Sequence, residues 1–200
     1  MRLVLFLLLA YFIGSIPTGY LFVKKFLGVD IRQYGSGNVG ATNVARKLGF
    51  KMGAAVALID IMKGFIPVMA ARFFLGVEPA YLLYLIGFAA IIGHDWSVFL
   101  GFDGGKGVAT TFGVILAAAP LSFVVLGLIW LVITFSIRIV SLASLLGALT
   151  LPVTVYIFSS DPAQAAMALI LFVFVVYTHR ENINRLLKGE EKRIRPGSEK

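Results

Sequence analysis

Residues 162–178 read PAQAAMALILFVFVVYT, an apolar run without a charge, and residues 179–188 continue as HRENINRLLK, a polar segment carrying Arg180, Arg185 and Lys188. About 20 such apolar residues cross a hydrocarbon layer as a helix. Working outward, the same alternation of apolar run and polar edge recurs, with further runs at 3–23, 52–75, 80–92, 107–119, 121–137 and 142–158. The expected fold is therefore an all-α integral membrane protein, a bundle of about seven transmembrane helices forming a single domain over 1–200, with a basic tail from about residue 181. The runs 107–119 and 121–137 are separated only by a break at Pro120, so a re-entrant hairpin is an alternative to two full spans there.

Composition supports this class: 59% of the 200 residues are hydrophobic and 14% charged, and the mean hydropathy is +0.92. A water-soluble domain of this length cannot bury so much apolar surface. The chain contains no cysteine, which excludes disulfides, thiolate metal sites and a cysteine acyl-enzyme. The run 3–23 is long for a signal core and lacks a small-residue cleavage site before a soluble domain, so it is read as a retained span.

The net charge of +8 lies almost entirely between the apolar runs. Lys24, Lys25, Arg32, Arg46, Lys47 and Lys51 separate the first two runs; Lys106 follows the third and Arg138 the fifth. The tail holds Arg180, Arg185, Lys188, Lys192, Arg193, Arg195 and Lys200, whereas the alternate side has little beyond Arg2 and Arg72. By the positive-inside rule the N-terminus is outside and the C-terminus cytoplasmic. Asp60 and Lys63 stand at i and i+3 inside the second run. Charges at that depth are expensive unless paired, and the pair reads either as an internal lock or as part of a binding site.

Three polar islands face the cytoplasm in this topology. The first, 30–43, contains Gly35, Gly37 and Gly40 in a G-x-G-x-x-G spacing, with Ser36, Asn38, Thr42, Asn43 and then Arg46 nearby. No βαβ unit surrounds it, so a dinucleotide site is rejected. What remains is a glycine-rich backbone that approaches an anion, or an ordinary interhelical loop. The second island, 94–111, places Gly104, Gly105, Lys106 and Gly107 at the entrance of an apolar run, a candidate phosphate cradle or a turn with an interfacial lysine. It is not a Walker A loop, because Gly107 stands where a magnesium-binding Ser or Thr belongs. In the third, His179, Asn182 and Arg185 share one helical face. Ser141 and Ser144 also share a face, where helix packing accounts for them on sequence alone.

GSGNVGATN (35–43), GHDWSVFLGFDGGKGVAT (93–110) and HRENINRLLKG (179–189), in this order and with this hydropathy, closely resemble the bacterial PlsY family of acyl-phosphate-dependent glycerol 3-phosphate acyltransferases. The resemblance implies transfer of a fatty acyl group from acyl phosphate to the 1-hydroxyl of glycerol 3-phosphate at the cytoplasmic face of the bacterial inner membrane. It implies no metal and no cofactor, and the two substrates and membrane lipids are the expected partners, with no nucleic acid and no obligatory protein partner.

On that basis Ser36, Arg46, Lys106, Ser144, His179 and Asn182 are the expected catalytic residues. Gly37, Asn38, Thr42, Asn43, Gly104, Gly105, Gly107 and Ser141 are expected to bind substrate, and Asp60, Lys63 and Glu181 to be structural, Glu181 as a strut for Arg180 or Arg185. The proton acceptor is either His179 or the substrate phosphate. A transporter of an anionic phosphorylated metabolite is the alternative, but no inverted repeat is found and the polar groups favour one face. A thioester-dependent acyltransferase with a His-x₄-Asp pair is a further rival, yet Phe99 and Asn184 stand five residues after His94 and His179.

The chain's lack of cysteine makes the topology testable. Single cysteines introduced at Ser36, Lys106 and His179 should all react with an impermeant thiol reagent from the cytoplasmic side, and labelling of any of them from opposite sides would end the three-island reading.

Overall fold

The structure is a computed structural model, and it describes residues 1–76 and 79–194. Arg195 and Lys200, counted above in the basic tail, lie outside the described residues. The first apolar run is divided at Ile16 and Pro17 into α1 (Arg2–Ser15) and α2 (Thr18–Leu27), since proline has no N–H to continue the ladder. A polar segment with a 3₁₀ turn at Ile31–Gln33 leads to α3 (Ala41–Leu48), α4 (Phe50–Leu75) and α5 (Tyr81–Asp95). A second polar loop precedes α6 (Val108–Ala118) and α7 (Pro120–Ile137). The chain continues as α8 (Val140–Leu149), α9 (Leu151–Ser159), α10 (Pro162–Thr178) and α11 (Arg180–Leu187). Pro120, Pro152 and Pro162 sit in first turns, where a missing N–H costs nothing.

All regular structure among the described residues is helical, as expected. Four stretches are long and apolar enough to cross a membrane: Arg2–Leu27, Phe50–Leu75, Pro120–Ile137 and Val140–Ser159. The pair α10 and α11, bent by 62°, counts as a fifth. The runs expected at 80–92 and 107–119 fold as α5 and α6, of 15 and 11 residues. At 1.5 Å per residue these are about 22 and 16 Å long, short of a hydrocarbon layer of about 30 Å. Hydropathy finds apolar segments but does not see where a glycine or a polar cap ends the helix.

The perimeter is apolar. Leu121, Val124, Leu128, Val132 and Phe135 of α7 form an exposed stripe, the face a helix turns to lipid. Inside, α5 lies at the centre, with Tyr84, Ile86 and Ile91 fully buried against Val68 of α4 and Val114 and Ile115 of α6. A smaller cluster of Val23, Ile31, Val39, Val44 and Val56 seats the first polar segment. Glycines set the helix spacing: a Cβ at Gly113 would meet the Ile61 carbonyl oxygen of α4 at 1.9 Å, and one at Gly14 the Ala90 oxygen of α5 at 2.0 Å. Lipid tails provide no hydrophobic drive between helices, so close backbone approach has to supply the contact energy.

At the break between α1 and α2 the Ile16 carbonyl accepts from Thr18 N–H at 2.9 Å. Lys63 Nζ donates to it at 2.6 Å. The same ammonium is 2.6 Å from Asp60 Oδ1, with both side chains almost wholly buried. Asp60 and Lys63 are thus paired inside the bundle, with the ammonium bridging α4 and the α1–α2 break. Replacing one member strands the other charge: Lys63→Met should cost about 3–5 kcal/mol, and Asp60→Asn with Lys63→Met together should cost less than Lys63→Met alone, both read from thermal unfolding in detergent.

Candidate active site

The polar islands meet around one cavity of about 520 Å³. Its shape begins with Asn43, a buried side chain on α3. Asn43 Nδ2 lies within 2.9 Å of the Tyr34 and Asn38 oxygens and 3.4 Å of the Ile31 oxygen, while Oδ1 accepts from Ser36 N–H at 3.2 Å. An amide has two N–H donors, and three carbonyls already compete for them. Asn43 therefore holds its own loop together and also lines the cavity. Gly35 has to be a glycine for this fit, because a Cβ there would stand 2.1 Å from Asn43 Oδ1.

Asn38 is likewise engaged. Its Oδ1 accepts from Gly40 N–H at 2.8 Å and its Nδ2 reaches the Gly104 oxygen at 3.4 Å, joining the first two islands. Gly37 N–H closes a turn onto Tyr34 at 2.9 Å, and Gly37 does not line the cavity. Ser36, Thr42 and Arg46 do line it. Among the described residues their side chains have no hydrogen-bonding partner, so they remain free for a ligand.

In the second island two of the amides expected to face an anion are bonded within the protein. Gly104 N–H donates to Asp103 Oδ1 at 2.8 Å and Gly105 N–H to the His94 oxygen at 3.0 Å. Neither amide is free for an anion. These glycines serve close packing instead: a Cβ at 104 would be 2.3 Å from the His94 oxygen, and one at 105 would be 2.0 Å from His94 Nε2. Gly107 adopts φ +62 as the N-cap of α6, a left-handed conformation that favours glycine. The first amides of α6 have no carbonyl partner, and Gly107, Val108 and Ala109 line the cavity.

Lys106 Nζ donates to Asn182 Oδ1 of α11. Burial lowers the Lys106 pKa, as do the positive Arg185 and Arg180, while Glu181 and Glu191 oppose them. His179 lies just beyond α10, with Nδ1 2.8 Å from the Val175 oxygen. A carbonyl can only accept, so the proton is on Nδ1 and the Nε2 lone pair is left available in the cavity wall. Burial, opposed by the Val175 hydrogen bond, lowers the His179 pKa to about 4.

Ser144 Oγ donates to the Val140 oxygen at 2.9 Å and accepts from Trp130 Nε1 at 3.2 Å. Ser141 Oγ, Asn182 Nδ2 and Arg185 Nε converge at 2.8, 2.5 and 2.7 Å on the carboxylate of Glu191. Sequence reasoning missed Glu191, which reads as one charge of a solvated Gly-Glu-Glu-Lys-Arg tail. Its hydrogen bonds outweigh the effect of burial and hold its carboxyl below the usual range. The expected strut Glu181 is exposed. Arg185 takes Glu191 as its partner, and Arg180 lies over the Tyr177 ring.

The helices α3, α6, α8 and α11 all begin at this cavity, where Gly40, Gly107, Val140 and His179 line it. A helix start offers the positive end of its dipole to an anion. Ala57, Ile61, Phe112 and Trp130 line the same cavity. The site thus combines an anion-attracting floor with an apolar wall and a neutral histidine acceptor.

The family model described as glycerol-3-phosphate acyltransferase matches residues 4–189. A glycerol-3-phosphate acyltransferase of Fusobacterium nucleatum is 44% identical over 191 residues, covering 95% of this chain and 97% of that one. A crystal structure of PlsY, an integral membrane glycerol 3-phosphate acyltransferase, in its glycerol 3-phosphate form superposes with a TM-score of 0.91 at 41% identity, covering 98% of this chain and 96% of that one. The lysophosphatidic acid form of PlsY gives 0.88 at 39% identity, with the same coverage. With the match running through every helix that frames the cavity, this chain belongs to the glycerol-3-phosphate acyltransferase family.

Proposed function

We propose that the protein transfers a fatty acyl group from acyl phosphate to the 1-hydroxyl of glycerol 3-phosphate, giving lysophosphatidic acid and inorganic phosphate. The observation that carries this reading is the convergence of four helix N-termini, Arg46 and Lys106 on one cavity with an apolar wall. Two phosphate-bearing reactants need such a floor, and a fatty chain needs such a wall. Relatives named for glycerol 3-phosphate acyl transfer, and PlsY structures in glycerol 3-phosphate and lysophosphatidic acid forms, support the acceptor and the product.

The donor is a mixed anhydride and already activated, so the protein's task is to position and to stabilise charge. The 1-hydroxyl attacks the acyl carbonyl carbon, its proton passes to His179 Nε2 or to a phosphate oxygen, and the C–O bond to phosphate breaks. Arg46, Ser36, Lys106 and the free amides of α6 hold the phosphate groups, with Thr42 beside them. Ser144 and Asn182 orient substrate at the carbonyl, and Ser141 supports Asn182 through Glu191. In the membrane the chain makes seven passes, α5 and α6 being short ones, with the N-terminus outside and the cavity open to the cytoplasm of a bacterium.

Purified protein supplied with acyl phosphate and glycerol 3-phosphate should form lysophosphatidic acid and phosphate in equal amounts. Arg46→Ala or Lys106→Met should lower kcat/KM by about 100-fold or more at unchanged melting temperature. Turnover with acyl-CoA in place of acyl phosphate, or flux into vesicles without product, would refute the reading.

If His179 is the acceptor, the reaction needs its neutral form. With the pKa lowered to about 4, kcat/KM should be flat through neutrality and fall as pH drops through about 4. An acidic limb that survives unchanged in folded His179→Gln would assign the proton to the substrate phosphate.

A further inference from the structure

Trp130 of α7 enters the reading above only as part of the apolar wall, yet its indole also carries a polar atom. Phe112 of α6 meets the indole edge to face, with ring centroids 6.0 Å apart and planes at 80°. Phe112 is itself set at 89° against Phe123 of α7. With the ring braced in this way, Nε1 reaches across to α8 and donates to Ser144 Oγ at 3.2 Å. An indole N–H can only donate, so the serine has to be the acceptor.

The consequence falls on the Ser144 hydroxyl, which has one hydrogen and two acceptor positions. Its hydrogen goes to the Val140 oxygen at 2.9 Å, one turn earlier in α8, and one acceptor position is filled by Trp130. What remains is a single lone pair on a side chain that is 3% exposed and lines the cavity. Turning the hydrogen to a ligand oxygen would only exchange it for the bond to Val140, whereas accepting adds a bond without loss. A carbonyl oxygen or an ionised phosphate cannot use such a site, because both only accept. The ligand group that fits is a hydroxyl.

We propose that Trp130 is a positioning residue that commits Ser144 to accept a hydrogen bond from a hydroxyl of the alcohol substrate. The assignment rests on the reaction proposed above, in which glycerol 3-phosphate brings two hydroxyls. The 1-hydroxyl gives its proton to His179 or to phosphate as it attacks, so the hydroxyl left for Ser144 is the one on carbon 2. Held there, it turns carbon 1 toward the acyl carbonyl, and Ser144 orients the alcohol without donating to the carbonyl oxygen. A substrate lacking that hydroxyl leaves the buried lone pair unmet, so the indole contributes to the choice of a polyol phosphate over a simple hydroxyalkyl phosphate.

The chain has two tryptophans, so protein labelled with ¹⁵N-tryptophan gives two indole N–H signals, which Trp96→Phe assigns. In the wild-type protein the Trp130 signal should shift more on saturation with glycerol 3-phosphate than with 3-hydroxypropyl phosphate, which lacks only the 2-hydroxyl. Equal shifts, or none, overturn the proposal. In steady-state assays Trp130→Phe keeps a ring against Phe112 and removes the N–H. It should raise KM for glycerol 3-phosphate about tenfold and leave KM for acyl phosphate within about twofold. The preference for glycerol 3-phosphate over 3-hydroxypropyl phosphate in kcat/KM should fall in Trp130→Phe and in Ser144→Ala, and no further when the two are combined. A normally melting Trp130→Phe protein with unchanged preference, or with equal KM increases for acyl phosphate and glycerol 3-phosphate, also overturns it. Wild-type protein that transfers nothing from acyl phosphate but shows the hydroxyl-dependent Trp130 shift would refute the reaction and leave the Trp130–Ser144 subsite standing.

Discussion

The ammonium of Lys63 is the interaction on which the arrangement depends. Within a bilayer no water completes the hydrogen bonding of a broken helix, so the carbonyl freed at Ile16 has to be met from inside the protein. Lys63 meets it together with Thr18 N–H, Asp60 neutralises Lys63, and the ammonium lies 3.4 Å from His94 Nδ1. One side chain therefore links the α1–α2 break, the long α4 and the end of α5. Each of these elements carries part of the cavity wall or the loop that leads into it.

Around that lock the polar residues divide their labour. Asn38, Asn43, Gly104, Gly105 and Glu191 spend their hydrogen-bonding capacity within the protein. Ser36, Thr42, Arg46, the first amides of α6 and the Nε2 atom of His179 are left over. The loop residues satisfy one another, while Ser36, Thr42 and Arg46 line the cavity with side chains that have no partner among the described residues. Preorganisation follows, since the scaffold groups have no freedom to reorient when charge develops.

Much of this was legible in the amino-acid sequence. Uncharged runs gave the helices, and the polar islands contained Arg46, Lys106, His179 and Asn182, all of which line the cavity. The Asp60 and Lys63 spacing read as an internal pair, which is what forms. Other features were hidden for physical reasons. Spacing reveals which amides a glycine could expose but not which acceptor captures them, so the expected cradle of Gly104, Gly105 and Gly107 included two amides that are bonded within the loop. Glu191 looks like solvent-facing tail, because its partners Ser141 and Asn182 come from elements distant in sequence. Glu181 was expected to brace Arg180 or Arg185, but Arg185 pairs with Glu191 and Arg180 lies over the Tyr177 ring, contacts that spacing along the chain does not reveal. The short lengths of α5 and α6 depend on caps and turns formed by tertiary contact.

The two unlike walls of the cavity carry a kinetic consequence. Ala57, Phe112 and Trp130 line the cavity together with Arg46 and Lys106, and for the reaction proposed above this sets the chemistry at a phase boundary, with one reactant dissolved in water and the other in lipid. For the lipid-borne reactant the quantity that governs saturation is its mole fraction in the surface, not its bulk molarity. Diluting the bilayer with inert lipid at constant total amounts would then slow turnover as surely as removing substrate.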